Sequence, residues 1–195
     1  IRVIFTPALP SATLPAVDLA AGIAHDAGHL DGIAHIAGIL PGFTPLHSLK
    51  LEDWSAIMQV NLYAAYLLTR ACLPLLQAAP CASVVFTSDQ SGRRGLAYYG
   101  AYAVAYGGIE RLSEVWADEL EANTAIRFNT LDPGAVATDM RARNFPGLPL
   151  DSAPAPEAIA PAYLFLLGRD SQSLSGRMFD AQPPSSSQPG NRGAH

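Results

Sequence analysis

Short apolar runs rich in β-branched residues alternate along this chain with longer stretches whose apolar residues recur every three or four positions. That alternation restricts the fold more than any other feature, because strands joined by helical crossovers return parallel to one another. Strands are expected at residues 2–5, 30–37 (LDGIAHIA), 83–87 (SVVFT) and 126–129, with a last one at residues 177–180. SVVFT is almost wholly apolar and β-branched, as in a strand covered on both faces. Helices are expected over 14–25, over 52–76 with a broad apolar stripe, over 100–120 with Tyr102, Tyr106, Ile109, Leu112, Trp116 and Leu120 on one face, and over 156–167. A short helix is expected over 138–144, and the polar, glycine-containing segment SDQSGRRG after the third strand reads as a loop. The architecture implied is α/β, a mostly parallel sheet with helices on both faces.

The chain has 195 residues, 49% of them hydrophobic and 15% charged, which excludes a disordered, collagenous or coiled-coil chain. A chain of this size buries roughly 70% of its unfolded surface, enough for one domain without disulfides or metal. That domain is expected over 1–182, and the Pro/Ser/Gly-rich segment 183–195 is expected to be a disordered tail. Net charge is −5 and the arginines are scattered among acids, so no nucleic-acid partner is expected. Cys72 and Cys81 show no metal-ligand spacing, and Cys72 falls on an apolar helical stripe. No apolar run nears the ~20 residues of a membrane span, and the first segment lacks a signal peptide's apolar core. A cytoplasmic protein without a membrane partner or a metal is the expectation. The sequence begins at Ile1, from which a missing N-terminal segment is expected.

In parallel sheets ligands bind beyond the carboxyl ends of the strands, which directs attention to the loops after Ala37, Thr87 and Leu131. Those loops lie within seven ordered blocks: LDGIAHIAGIL, MQVNLYAAYLLTRACLPLL, SVVFTSDQSGRRG, YYGAYAVAYGGIE, WADEL, NTLDPGAVATDMRA and GRMFDAQP. Together they resemble a short-chain dehydrogenase/reductase, and within that superfamily the bacterial YciK-type members. The resemblance implies a Rossmann-type doubly wound parallel sheet, here N-terminally truncated, with the first strand, first helix and second strand missing. It further implies an NADP or NAD cofactor once that segment is restored, with no cofactor in this chain as the alternative, and hydride transfer to or from a small-molecule carbonyl or alcohol. In the family the two long helices, here 52–76 and 100–120, commonly form a dimer, so a homo- or hetero-oligomer is expected.

The resemblance also assigns roles. Asn61 matches the family's relay asparagine and Tyr102 its active-site tyrosine, while Ala37, Gly38, Pro133, Gly134 and Thr138 match loops that line the cofactor. Two positions depart from the pattern. The lysine four residues after the tyrosine is Tyr106, and the serine thirteen residues before it is Asp89. A phenol ionises near pH 10, and proton transfer near neutrality needs a neighbouring positive charge, which Tyr106 does not supply. An ionised Asp89 beside Tyr102 would act in the opposite direction. Lys50 is the only lysine in the chain, so Arg93 or Arg94 would have to reach in as a substitute, and Ser88 is the neighbouring hydroxyl that could replace the lost serine. The glycine-rich TGxxxGxG phosphate loop is absent from the sequence.

Structural readings stand beside these roles. Tyr102 and Tyr106 could simply pack together, Asn61 could bond a neighbouring backbone, Asp89 could cap its turn, and His35 could be a hydrogen-bonded core residue. The functional expectation is an NAD(P)-dependent oxidoreductase with impaired turnover. The alternatives are a silent homologue serving as a scaffold or inactive subunit, and cofactor-free lyase or hydrolase chemistry at Asp89 and Tyr102.

Overall fold

The computed structural model describes residues 3–5, 21–22 and 28–183. Five strands, β1 (Val3–Phe5), β2 (Gly32–His35), β3 (Ala82–Thr87), β4 (Ile126–Asp132) and β5 (Arg177–Asp180), lie side by side in chain order, and every neighbouring pair is parallel. The expected α/β parallel sheet is therefore present. The expected helix over 14–25 falls outside the described residues except at 21–22, and the expected tail does so except at 183. A sheet of this type without its first strand would be unfilled at the centre, its neighbours short of ladder partners. Instead β1 pairs directly with β2, Val3 opposite Gly32 and Phe5 opposite Ala34. Pairing satisfies backbone N–H and C=O groups that a bare β2 edge would leave without partners.

Strand residues alternate between two cores. Ile33, Val84, Phe86 and Phe128 point to one face, where they pack with Leu68, Cys72, Leu76 and Ile109 from the long helices. Ala34, Val85 and Leu131 point to the other, against Ile159, Tyr163 and Leu166. The second face is covered by α6 (Pro156–Leu167), whose first helical residue is proline, a position where the missing N–H costs no helical bond.

The apolar stripe over 52–76 predicts one helix, and the structure divides it. Between α1 (Leu51–Met58) and α2 (Ala64–Gln77) lies a π-helical turn, Gln59–Tyr63, whose buried residue is Asn61. The wider turn interrupts the 3.6-residue phase and turns a polar side chain toward the sheet ends. The segment expected as a loop after β3 contains a short helix, α3 (Gln90–Arg93), followed by α4 (Gly100–Leu120), which has the expected limits. β4 runs three residues further than expected and ends at Asp132, ahead of Pro133-Gly134 and α5 (Asp139–Asn144).

Candidate active site

Beyond the carboxyl end of β2 the chain passes through Ala37 and Gly38, and the next residue is held by Asn61. The Asn61 Oδ1 accepts a hydrogen bond from the Ile39 N–H at 2.8 Å, and its Nδ2 donates to the Ile39 carbonyl at 2.9 Å. Both ends of a buried amide are thus spent on one backbone unit, which fixes the loop that carries Gly38.

Tyr102 and Tyr106 project from the first turns of α4 into a third apolar cluster with Ile57, Ala101 and Ala105. Their rings meet edge to face with centroids 4.6 Å apart, as phenols four residues apart on a helix can. The Tyr106 hydroxyl lies over Gly38 so closely that a Cβ there would be 2.6 Å from it. Only glycine leaves room at that position for the phenol. Burial drives the Tyr102 hydroxyl well above its ordinary range, and the neighbouring Tyr106 and Asp89 push it further in the same direction. Tyr106 is also pushed up, chiefly by burial, although its interaction with the Tyr102 hydroxyl partly opposes this. Among the described residues, the groups that act on Tyr102 are Tyr106, Asp89 and Tyr99, none of them a cation. The proton therefore stays on this phenol at neutral pH.

Ser88 and Asp89 have hydrogen-bond partners of their own near that phenol. Asp89 caps α3, its Oδ1 accepting from the Ser91 N–H at 2.8 Å. The buried Ser88 hydroxyl donates to Glu110 Oε1 at 2.6 Å. Arg93 does not reach Tyr102 either. Its Nη2 donates to Asp132 Oδ2 at 2.5 Å and to Asp180 Oδ1 at 3.2 Å, and its Nε lies 3.8 Å from Glu110.

The loop after β4 is held from two sides. Gly134 adopts φ +69°, and its N–H donates to Asp132 Oδ1 at 2.8 Å. Gln182 Nε2 donates to the carbonyls of Pro133 at 2.6 Å and Ala135 at 2.8 Å. Thr138 caps α5 by accepting from the Arg141 N–H at 3.3 Å. From α5, Asn144 Nδ2 donates to the Leu40 carbonyl at 2.9 Å, which ties this segment to the loop that carries Gly38. His35 is a core residue: it hydrogen-bonds Thr69 Oγ1 at 2.9 Å, stacks on Phe86 and is held at a pKa of about 3 by burial.

The sequence thus brings Asn61, Gly38, Tyr102 and Tyr106 to one place, with Ala37 on the same loop. Ser88 and Asp89 follow β3, and Pro133, Gly134 and Thr138 follow β4, each with at least one hydrogen bond of its own. Sequence reasoning missed Glu110, Asp132, Asp180 and Gln182. The partners of their side chains, Arg93, Ser88 and the Pro133 and Ala135 carbonyls, are distant in the chain, and the structure sets Asp132 and Asp180 opposite each other at the ends of adjacent strands.

A family model described as enoyl-(acyl carrier protein) reductase matches residues 16–181. The chain belongs to the short-chain dehydrogenase/reductase family. This short-chain dehydrogenase/reductase is 41% identical over 165 residues to YciK, an uncharacterised oxidoreductase of Escherichia coli K12, covering 85% of the chain and 65% of YciK. It therefore spans somewhat less than two thirds of that relative's length. It is 31% identical to the inactive 2-(S)-hydroxypropyl-CoM dehydrogenase 2 of Xanthobacter autotrophicus, over 82% of this chain and 74% of that one. Among solved structures, a short-chain dehydrogenase from E. coli CFT073 complexed with NADPH superposes with a TM-score of 0.85 at 39% identity, covering 90% of this chain and 72% of that one.

The family's nicotinamide cofactor can be tested against the residues present. Its ribose and the active-site phenol call for an ammonium where Tyr106 stands, and the Tyr106 hydroxyl fills the space over Gly38. The Gly134 N–H donates to Asp132, and the Thr138 hydroxyl accepts from the Arg141 N–H while keeping its own proton to donate. The described residues thus place a phenol, not an ammonium, beside Tyr102 and over Gly38.

Proposed function

We propose that this chain is a short-chain dehydrogenase/reductase whose carbonyl/alcohol hydride transfer is impaired. The observation that carries the reading is the buried Tyr102–Tyr106 pair. Burial and a negative neighbour keep the Tyr102 phenol protonated, and no cation opposes them. General acid–base work needs a group whose pKa lies near the working pH, and this phenol is moved the other way. The existence of an inactive relative supports the reading, since loss of turnover is compatible with keeping this fold. The NADPH complex of the E. coli CFT073 relative makes NADPH the first cofactor to assay.

The test is NADPH- and NADH-dependent reduction of a panel of aldehydes and ketones by the purified chain, by Asp89→Ser/Tyr106→Lys and by Tyr102→Phe. The reading expects no turnover above background in the parent and a gain in the double variant. Turnover by the parent that disappears in Tyr102→Phe would overturn it.

A second reading, a silent subunit of a homo- or hetero-oligomer, is favoured by exposed apolar side chains on the two long helical segments. Tyr63, Val104 and Val115 are each about half exposed. Light scattering of the parent against Val104→Glu/Val115→Glu tests it: a dimer that dissociates in the variant supports this reading, and a monomeric parent that captures no second subunit removes it.

A further inference from the structure

Three strand ends meet at one guanidinium. Arg93, in α3 after β3, donates from Nη2 to Asp132 at the end of β4 and to Asp180 at the end of β5, while its Nε faces Glu110 of α4 at 3.8 Å. Asp132 is the pivot. One carboxylate oxygen accepts from Arg93 at 2.5 Å, and the other accepts from the Gly134 N–H at 2.8 Å, so the charge on α3 is connected through one side chain to the turn that opens the next loop. Gly134 sits in the left-handed region, where the backbone needs a local hydrogen bond to define it. Gln182 holds the same turn from the far side.

We propose that Arg93 is the positioning residue for loop 133–138, acting through Asp132. Arg93 is only partly buried while Asp132 and Glu110 are almost wholly so, which places a cation at the mouth of a pocket of carboxylates. Without it, Asp132 would keep its negative charge among Glu110, Asp180 and Asp89 with nothing opposite. The carboxylate would then take up a proton more readily and hold the Gly134 N–H more weakly. Loop 133–138 would loosen, and with it α5, which reaches across to Leu40 and so to the segment that carries Gly38.

The groups that act on or with Asp132 are Arg93 and Asp89 at α3, Asp180 on β5, Tyr106 on α4 and Tyr163 on α6, and Glu110 on α4 shares Arg93 with it. Burial raises the Asp132 pKa, and Arg93 and the Gly134 N–H oppose the rise. Removing Arg93 therefore moves the titration of Asp132 further upward.

The inference rests on the proposed function only in treating loop 133–138 as part of the site. Its test uses the ligand-free chain, so the two readings fail separately. NMR follows the Gly134 amide, by its pH-dependent chemical shift and its hydrogen-exchange rate, in the parent, Arg93→Gln and Arg93→Lys. In Arg93→Gln the titration midpoint is expected to rise by about one pH unit or more and exchange at Gly134 to accelerate about tenfold or more. In Arg93→Lys the midpoint is expected to return toward the parent value. A folded Arg93→Gln with unchanged midpoint and exchange overturns the proposal. Should that variant not fold, Asp132→Asn carries the test: the pH dependence of the Gly134 amide is expected to vanish, and its persistence overturns the proposal.

Discussion

Replacing Gly38 by alanine tests whether the Tyr106 phenol occupies the place described for it. The new Cβ would lie 2.6 Å from the Tyr106 hydroxyl oxygen, where ordinary contact begins at 3.4 Å. Tyr106 is buried and its ring is braced edge-on against Tyr102, so the phenol has little room to withdraw. Overpacking of this kind costs about 1–3 kcal/mol. With the hydroxyl removed by Tyr106→Phe, the nearest neighbours of the same Cβ are the Asn61 Oδ1 at 3.8 Å and the ring Cζ at 3.9 Å, both ordinary contacts. Gly38 is not among the residues with positive φ. Alanine there should therefore gain about 0.4–1 kcal/mol by restricting the unfolded chain. The sign of Gly38→Ala thus depends on one oxygen atom, and a double-mutant cycle should show a coupling of at least about 1.4 kcal/mol. Urea denaturation of the four proteins, followed by tryptophan fluorescence, measures it. Equal effects of Gly38→Ala in both backgrounds would refute the placement of Tyr106 over Gly38.

Other substitutions probe the surrounding contacts. Asn61→Ala leaves the Ile39 N–H and carbonyl without their partners, an expected loss of about 1–3 kcal/mol, with faster hydrogen exchange at the Ile39 amide. Ser88→Ala removes the hydroxyl that donates to the buried Glu110 and should cost a similar amount, about 1–3 kcal/mol by denaturation. His35 predicts the acid side of the stability profile. Its folded pKa of about 3 lies below the model-peptide value of 6.5, so the unfolded chain binds this proton first. Its contribution is complete above 6.5 and is lost as pH falls toward 3, at up to about 1.4 kcal/mol per pH unit. Denaturation between about pH 7 and about pH 4 should show this slope in the parent and a flatter profile in His35→Gln.

Local pattern was enough where one element decides the outcome. The stripe from Tyr102 to Leu120 defines α4, the apolar run at 83–87 defines the central strand, and Asp89 ahead of a short helix caps it as its residue type suggests. The π turn at Gln59–Tyr63 was hidden because its residues continue an apolar stripe that an uninterrupted helix would also produce. Pairing across long sequence distances was hidden for a different reason. Nothing near Ser88 in the chain indicates that its hydroxyl turns to Glu110, or that Arg93 goes to Asp132 and Asp180 instead of Tyr102. The replacement of the lysine by Tyr106 was legible as a lost charge. That its hydroxyl fills the space over Gly38 follows only from the approach of α4 to the loop after β2.

The most direct measurement of the central claim is the ionisation of Tyr102 itself. The chain is labelled at the tyrosine Cζ carbon, Tyr102→Phe identifies the resonance, and NMR follows it upward in pH. The account predicts that this resonance stays that of a neutral phenol at about pH 10, where a free tyrosine is half ionised, and that Asp89→Ser/Tyr106→Lys brings its midpoint down. A Tyr102 resonance in the parent that titrates well below that value would show a phenol ready for proton transfer and would contradict impaired turnover.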